Sequence, residues 1–287
     1  ALNNAVTVVT DKLLNPVQYY SGDWGIGTAS ESLVSVNYSD YFCDNNKGVI
    51  LRLSKDGLTP LSIIANINNW ASNEVTARTG DYKIYGTFNQ KANSCIWALE
   101  ETEDYPAKTI VFNEDANNFE SFLSMHPQTM CCLGTTLVTC FEGNLYTHDG
   151  DTYNNFYGVA YPSSVTLVFN DKSMVKKTFN AIGYQSNEKW ISNTKGDIYT
   201  SNINPQTGLR TQSKLVAADY ELQENVTVAA FQRDMNSMSN ERVALFEGDY
   251  LKGVYIATKL ICPSDKANKL VYLNQIYTTN SISQKNF

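Results

Sequence analysis

Histidine and arginine are scarce in this chain, with two of the first and five of the second among 287 residues. So few imidazoles leave little to serve as a general base. So few guanidinium groups argue against a domain that grips DNA or RNA, because arginine is the side chain best fitted to phosphates and base edges. Several motifs are absent as well: G-x-S-x-G, Walker A, H-E-x-x-H and C-x-x-C. "GIGTAS" (25–30) is a degenerate glycine run without a βαβ context and is no nucleotide fingerprint. No apolar run reaches the ~18 residues of a membrane-spanning helix. "ALNNAVTVVTDKLL" lacks the basic start and long apolar stretch of a signal peptide. The chain does not begin with Met, and the expectation is a soluble processed product or fragment.

Cysteine is present in even number, at Cys43, Cys95, Cys131, Cys132, Cys140 and Cys262. Three disulfides are therefore conceivable in an oxidising compartment, but in a chain this long small buried thiols are the expected state. No Cys/His group has zinc-finger spacing.

What the chain does have is 18 Tyr, 12 Phe and 31 Asn. Aromatic side chains favour strands, and Asn favours the turns between them. "YFCDNNKGVILRLSKDG" (41–57) reads as strand, Asn-rich turn, strand, turn. "YKIYGTFNQKANSCIWALEE" (82–101) reads as a hairpin with "NQKAN" as its loop. "DNNKGVILRLSKDG", "CFEGNLYTHDG" and "NTKGDIYTSN" share a skeleton of strand, Gly-closed turn and strand. That self-similarity suggests radial hairpins of the propeller kind. After "GVAYPSS" come eight candidate strands: "VTLVFN", "VKKTFNAIGY", "KWIS", "GDIYTSN", "NVTVAAFQ", "VALFE", "GVYIATKLIC" and "KLVYLNQIYTT". Their density is that of a β-sandwich. Helix is scarce, since Pro16 cuts "DKLLNPVQYY" and "ESFLSM" is too short.

The charge changes sign along the chain, residues 1–170 carrying a net −10 and residues 171–287 a net +3. The expected fold is all-β, with an acidic propeller-like domain over 1–161 and a β-sandwich over 162–287. An acidic surface repels a phosphate backbone; the simpler reading is a solvated acidic face, and the sharper one a surface that DNA slides past without sticking.

Three groups invite chemistry. His148, Asp149, Asp151 and Asn154 offer oxygen and nitrogen ligands, but without the glycine position and closing Glu of an EF-hand they read as two turns. His126, followed by Pro127, has no partner at ligand spacing. Glu100, Glu101, Glu103 and Asp104 form one consecutive run, whereas paired glycosidase carboxylates need separate environments. No catalytic residue, metal or cofactor is expected. Trp24, Trp70, Trp97 and Trp190 are candidates for stacking on sugars, with core packing as the simpler role.

The order "ESLVSVNYSDYFCDNNKGVILRLSKDGLTPLS", "YGTFNQKANSCIWAL", "KTIVFNEDANNFESFLSMHP" and "LYTHDGDTYNNFYGVAYPSSVTLVFND" resembles the tail nozzle proteins of short-tailed bacteriophages, nearest the muzzle or stabilization proteins of crAss-like phages. "VKKTFNAIGYQSNEKW" and "ERVALFEGDYLKGVYIATKLICPS" continue the likeness, which spans roughly residues 25 to 280. Members of that family are as a rule much longer and carry this region near their C-terminus. The resemblance implies a structural part of the virion tail, in a homo-oligomeric ring, commonly of six copies. Other tail proteins would be its partners, and the genome would leave through the ring without specific DNA contacts. It brings no catalytic residues, and the lack of a long apolar run leaves no membrane segment expected. The alternatives are a carbohydrate- or receptor-binding β-protein on a virion or cell surface, and a propeller glycoside hydrolase.

Overall fold

A computed structural model describes residues 19–78, 82–148, 150–205, 207–215, 220–238, 240, 243–244 and 247–279. The "DKLLNP" stretch and Asp149 lie outside the described residues. The chain divides into two compact units, Ala1–Asp149 and Gly150–Phe287.

The first unit is a succession of antiparallel meanders. β1 (Val34–Val36), β2 (Ser39–Asp44), β3 (Val49–Ser54) and β4 (Gly57–Pro60) form one four-stranded sheet in chain order. Two short helical turns follow, α1 (Leu61–Ile64) and α2 (Asn68–Ala71), the second running into a π-helical turn at Ser72–Thr76. β5 (Ile84–Asn89), β6 (Ser94–Leu99), β7 (Lys108–Asn113) and β8 (Asn118–Leu123) make a second four-stranded meander. β9 (Thr129–Leu133), β10 (Thr136–Phe141) and β11 (Asn144–Thr147) make a third sheet of three strands. The opening strands β1, β5 and β9 neighbour one another in that order.

Turn chemistry sets these meanders. Asn89 accepts the backbone N–H groups of Lys91 and Ala92, and Asn93 takes φ of 49° to close the β5–β6 hairpin. Asn117 does the same at φ 47° between β7 and β8. Asparagine tolerates this left-handed conformation better than most residues. All six residues of β6, "SCIWAL", are buried, so this strand is covered on both faces. The core gathers Tyr41, Cys43 and Ile50 from the first sheet against Ile84, Trp97, Ile110 and Phe112 from the second. Burying each such side chain contributes about 1.5–3 kcal/mol. The unit is built mainly of β-sheet, but among the described residues its sheets form no closed ring.

The second unit opens with the small hairpin β12 (Asn155–Phe156) and β13 (Val159–Ala160). Its strands are β14 (Ser163–Phe169), β15 (Lys177–Ser186), β16 (Ile198–Ile203), β17 (Arg210–Ser213), β18 (Tyr220–Gln223), β19 (Val226–Ala230), β20 (Lys252–Gly253), β21 (Ile256–Cys262) and β22 (Leu270–Thr279). One sheet runs β14-β21-β16-β17; the other runs β18-β19-β15, with β20 and β22 also paired to β15. Phe179, Ile182 and Tyr184 of β15 share one core with Ile198 of β16 and with Ile256 and Leu260 of β21.

Two of the eight strands expected here differ. "KWIS" contributes a single bridge, Ile191 to Ile261, rather than a strand. In "VALFE", Val243 and Ala244 are helical, the Ala244 N–H bonding Asn240 O and the Gly248 N–H bonding Ala244 O, each at 2.9 Å. These i to i+4 bonds satisfy the backbone locally, so the described part of this stretch needs no strand partner. β17 and β18 are strands the sequence pattern did not reveal.

Candidate functional site

The residues singled out by the sequence fall into separate places. His148 completes the β10–β11 hairpin: its Nε2 lies 2.7 Å from Thr139 Oγ1, and its N–H donates to Leu137 O. Asp151 is exposed. Asn154, at φ 54°, is a structural tie: its Nδ2 donates to Ser264 O at 2.6 Å and to Cys262 O at 3.4 Å, while its Oδ1 accepts from Ser163. Through Asn154 and the Tyr153 N–H bond to Asp265 O, residues 153–154 join the strands of the second unit. Among the described residues no group of three or more His, Cys, Asp or Glu side chains is arranged to hold a metal ion.

The acidic run sits in an exposed loop after β6. Glu100 accepts the Lys83 N–H at 3.0 Å, and Thr102 and Tyr105 bond each other's backbone. Glu101, Glu103 and Asp104 are exposed. All six cysteines are free. Burial pushes the Cys43 thiol up to about 12, so it packs as a small apolar group.

The tryptophans divide. Trp97 is fully buried and donates Nε1–H to Ser32 O at 3.0 Å. Trp190 is 6% exposed, and its buried Nε1 has no hydrogen-bond partner. Trp24 and Trp70 are half-buried. Trp70 stands at a cavity. That cavity is about 320 Å³ and is lined by Trp70, Lys108, Thr109, Phe122, Leu123 and His126. The Trp70 and Phe122 rings lie 4.9 Å apart at 55°, and Phe122 is 58% exposed.

Several local features position this wall. α2 carries Trp70, and the alternation of β8, "NFESFL", turns Phe122 outward. The π-helical turn carries Glu74, which contacts Lys108 at 3.9 Å and Arg78 at 3.3 Å. Arg78 is itself buried; its Nη2 donates to Pro106 O at 2.5 Å and its guanidinium faces the Tyr105 ring. Burial holds the Arg78 pKa below its ordinary value. His126 contributes a buried Nδ1 with no hydrogen-bond partner, and burial holds its imidazole below the usual pKa. Phe122, Lys108 and Arg78 were not foreseen as site residues. Phe122 was legible in principle, as an aromatic on the solvent-facing phase of an alternating strand.

The second unit holds a cavity of about 300 Å³ of mixed lining, beside Phe169, Lys177, Phe179, Gln275 and Tyr277. Lys177 is 1% exposed, and its ammonium is taken up by the carbonyls of Asp171, Lys172 and Val175. It is a structural brace for the 171–175 turn. Tyr277 donates its hydroxyl to Asp171.

Antiparallel meanders packed over two apolar cores define a class: a protein built almost wholly of β-sheet. A family model described as "Crassvirus muzzle protein" matches residues 4–143, and one described as "Crassvirus muzzle protein C-terminal domain" matches residues 151–234. The chain belongs to the muzzle protein family of crAss-like phages. It is similar to the muzzle protein of Bacteroides phage crAss001, at 23% identity over 171 residues, or 58% of this chain. That match covers 12% of the relative's length.

Proposed function

We propose that this chain is a structural component of the phage tail, part of the nozzle through which the genome leaves. On this reading several copies, commonly six, pack into a ring around the distal channel beside other tail proteins. The chain carries out no reaction; its work is assembly and passage of DNA. The observation that carries the reading is the pair of muzzle-family matches, one in each unit.

The geometry supports it in two ways. The three successive meanders, with β1, β5 and β9 side by side, have the layout of consecutive propeller blades, and propellers comprise about four to eight. We read the first unit as an arc of such blades. The acidic first 170 residues offer DNA few cations to hold it.

An antibody against this chain, applied to phage particles and viewed by negative-stain electron microscopy, tests the proposal. Label at the tail tip is the expected result. Label elsewhere on the particle, or none on particles whose tails are intact and accessible, would overturn it.

A further inference from the structure

The nozzle reading leaves the Trp70 cavity without a role, and the following inference does not depend on that reading. We infer that this cavity is a binding site for one unit of a neutral carbohydrate. Its wall is the Trp70–Phe122 pair, with the rings 4.9 Å apart and Phe122 58% exposed. The paired rings offer an exposed aromatic face, and the C–H face of a pyranose stacks well on such a ring. The lining also includes the polar side chains Lys108, Thr109 and His126.

The polar side selects the ligand. His126 Nδ1 is buried and unpaired, and burial favours the neutral imidazole. A neutral imidazole nitrogen accepts a hydrogen bond, and a sugar hydroxyl is a suitable donor once the ring turns slightly toward the cavity. The Lys108 ammonium donates to a hydroxyl oxygen. An anionic ligand fits poorly, because Glu74 stands 3.9 Å from Lys108 and residues 1–170 carry a net −10. A volume of about 320 Å³ is near the lower end of small-molecule pockets, roughly 300–1,000 Å³, so one sugar ring is held rather than a chain.

The test is direct. The whole chain is passed over an array of neutral and acidic saccharides, and hits are titrated by tryptophan fluorescence and calorimetry. Saturable binding of a neutral sugar is expected, weakened at least tenfold by Phe122→Ala, which removes an exposed ring and leaves the fold intact. Trp70→Phe should keep part of the affinity, and His126→Phe, which cannot accept the hydroxyl, should weaken it with the circular dichroism unchanged. Trp24→Phe serves as the control and should change nothing. Binding confined to acidic sugars, binding indifferent to Phe122→Ala, or no saturable binding to any saccharide would each overturn the inference. None of these outcomes bears on tail labelling, so the two readings fail separately.

Discussion

Trp97 is the largest side chain that the fold hides completely, and its indole N–H reaches Ser32 O across two elements distant in sequence. Trp97→Phe removes that donor, leaves the carbonyl unpaired in a dry core and opens a small void. The expected loss is about 2–4 kcal/mol, combining an orphaned polar group with a cavity, measurable by urea denaturation. His126 makes a different prediction, in pH. Burial lowers its folded pKa, while the unfolded chain takes up a proton near pH 6.5. Glu101 opposes that shift and Lys108 adds to it. The unfolded state therefore binds more protons just below pH 6.5, and stability falls as pH drops through that window toward the folded value. His126→Gln should flatten the dependence of the urea midpoint between about pH 5 and about pH 7.5. An unchanged slope would assign the acid sensitivity to other groups.

At the scale of elements, the contact between the Ser30–Ser32 turn and β5 decides how closely the first two sheets approach. A Cβ built on Gly86 would stand 2.5 Å from Ser32 O and 2.6 Å from Val34 Cγ2. The backbone oxygen cannot swing aside as a flexible side chain does. Gly86→Ala is expected to cost about 1–3 kcal/mol through overpacking, read as a lowered thermal midpoint with the far-ultraviolet circular dichroism retained. The hairpins of this unit were legible in the sequence because their turns are chemical: Asn93 and Asn117 adopt positive φ locally, whatever surrounds them. "RTQS" and "YELQ" hid β17 and β18, since short polar segments become strands only when a neighbour supplies the ladder. "VALFE" misled for the converse reason: its apolar residues suit either state, and i to i+4 bonds from Asn240 onward decided it. The Trp70 cavity was half-legible. Trp70 and His126 were conspicuous singly, but no local pattern brings α2 beside β8; only the folded sheet does.

At the scale of the whole molecule the charge and the strand edges make separate predictions. With five arginines and a net charge of −7, the chain offers duplex DNA little counterion-driven affinity. It should leave duplex DNA unshifted in gel electrophoresis at physiological salt, and a salt-sensitive shift would contradict passage without sticking. The edges concern assembly. β22 pairs only with β15 among the described residues, and its ten residues, "LVYLNQIYTT", contain no charge, proline or glycine. Natural proteins usually protect such an edge with a lysine, a proline or a short strand, because its free N–H and C=O groups recruit another strand. Here Val271 and Ile276 are exposed at 61% and 48%. On the proposed nozzle reading, a neighbouring copy would cover this edge. Ile276→Lys places an ammonium on an exposed position of this strand, where folding tolerates it and strand addition does not. Sedimentation velocity across a concentration series should therefore show weaker self-association for Ile276→Lys than for the parent chain, with Leu222→Lys on β18 as the comparison edge. Equal association of parent and Ile276→Lys would rule out β22 as a contact between copies.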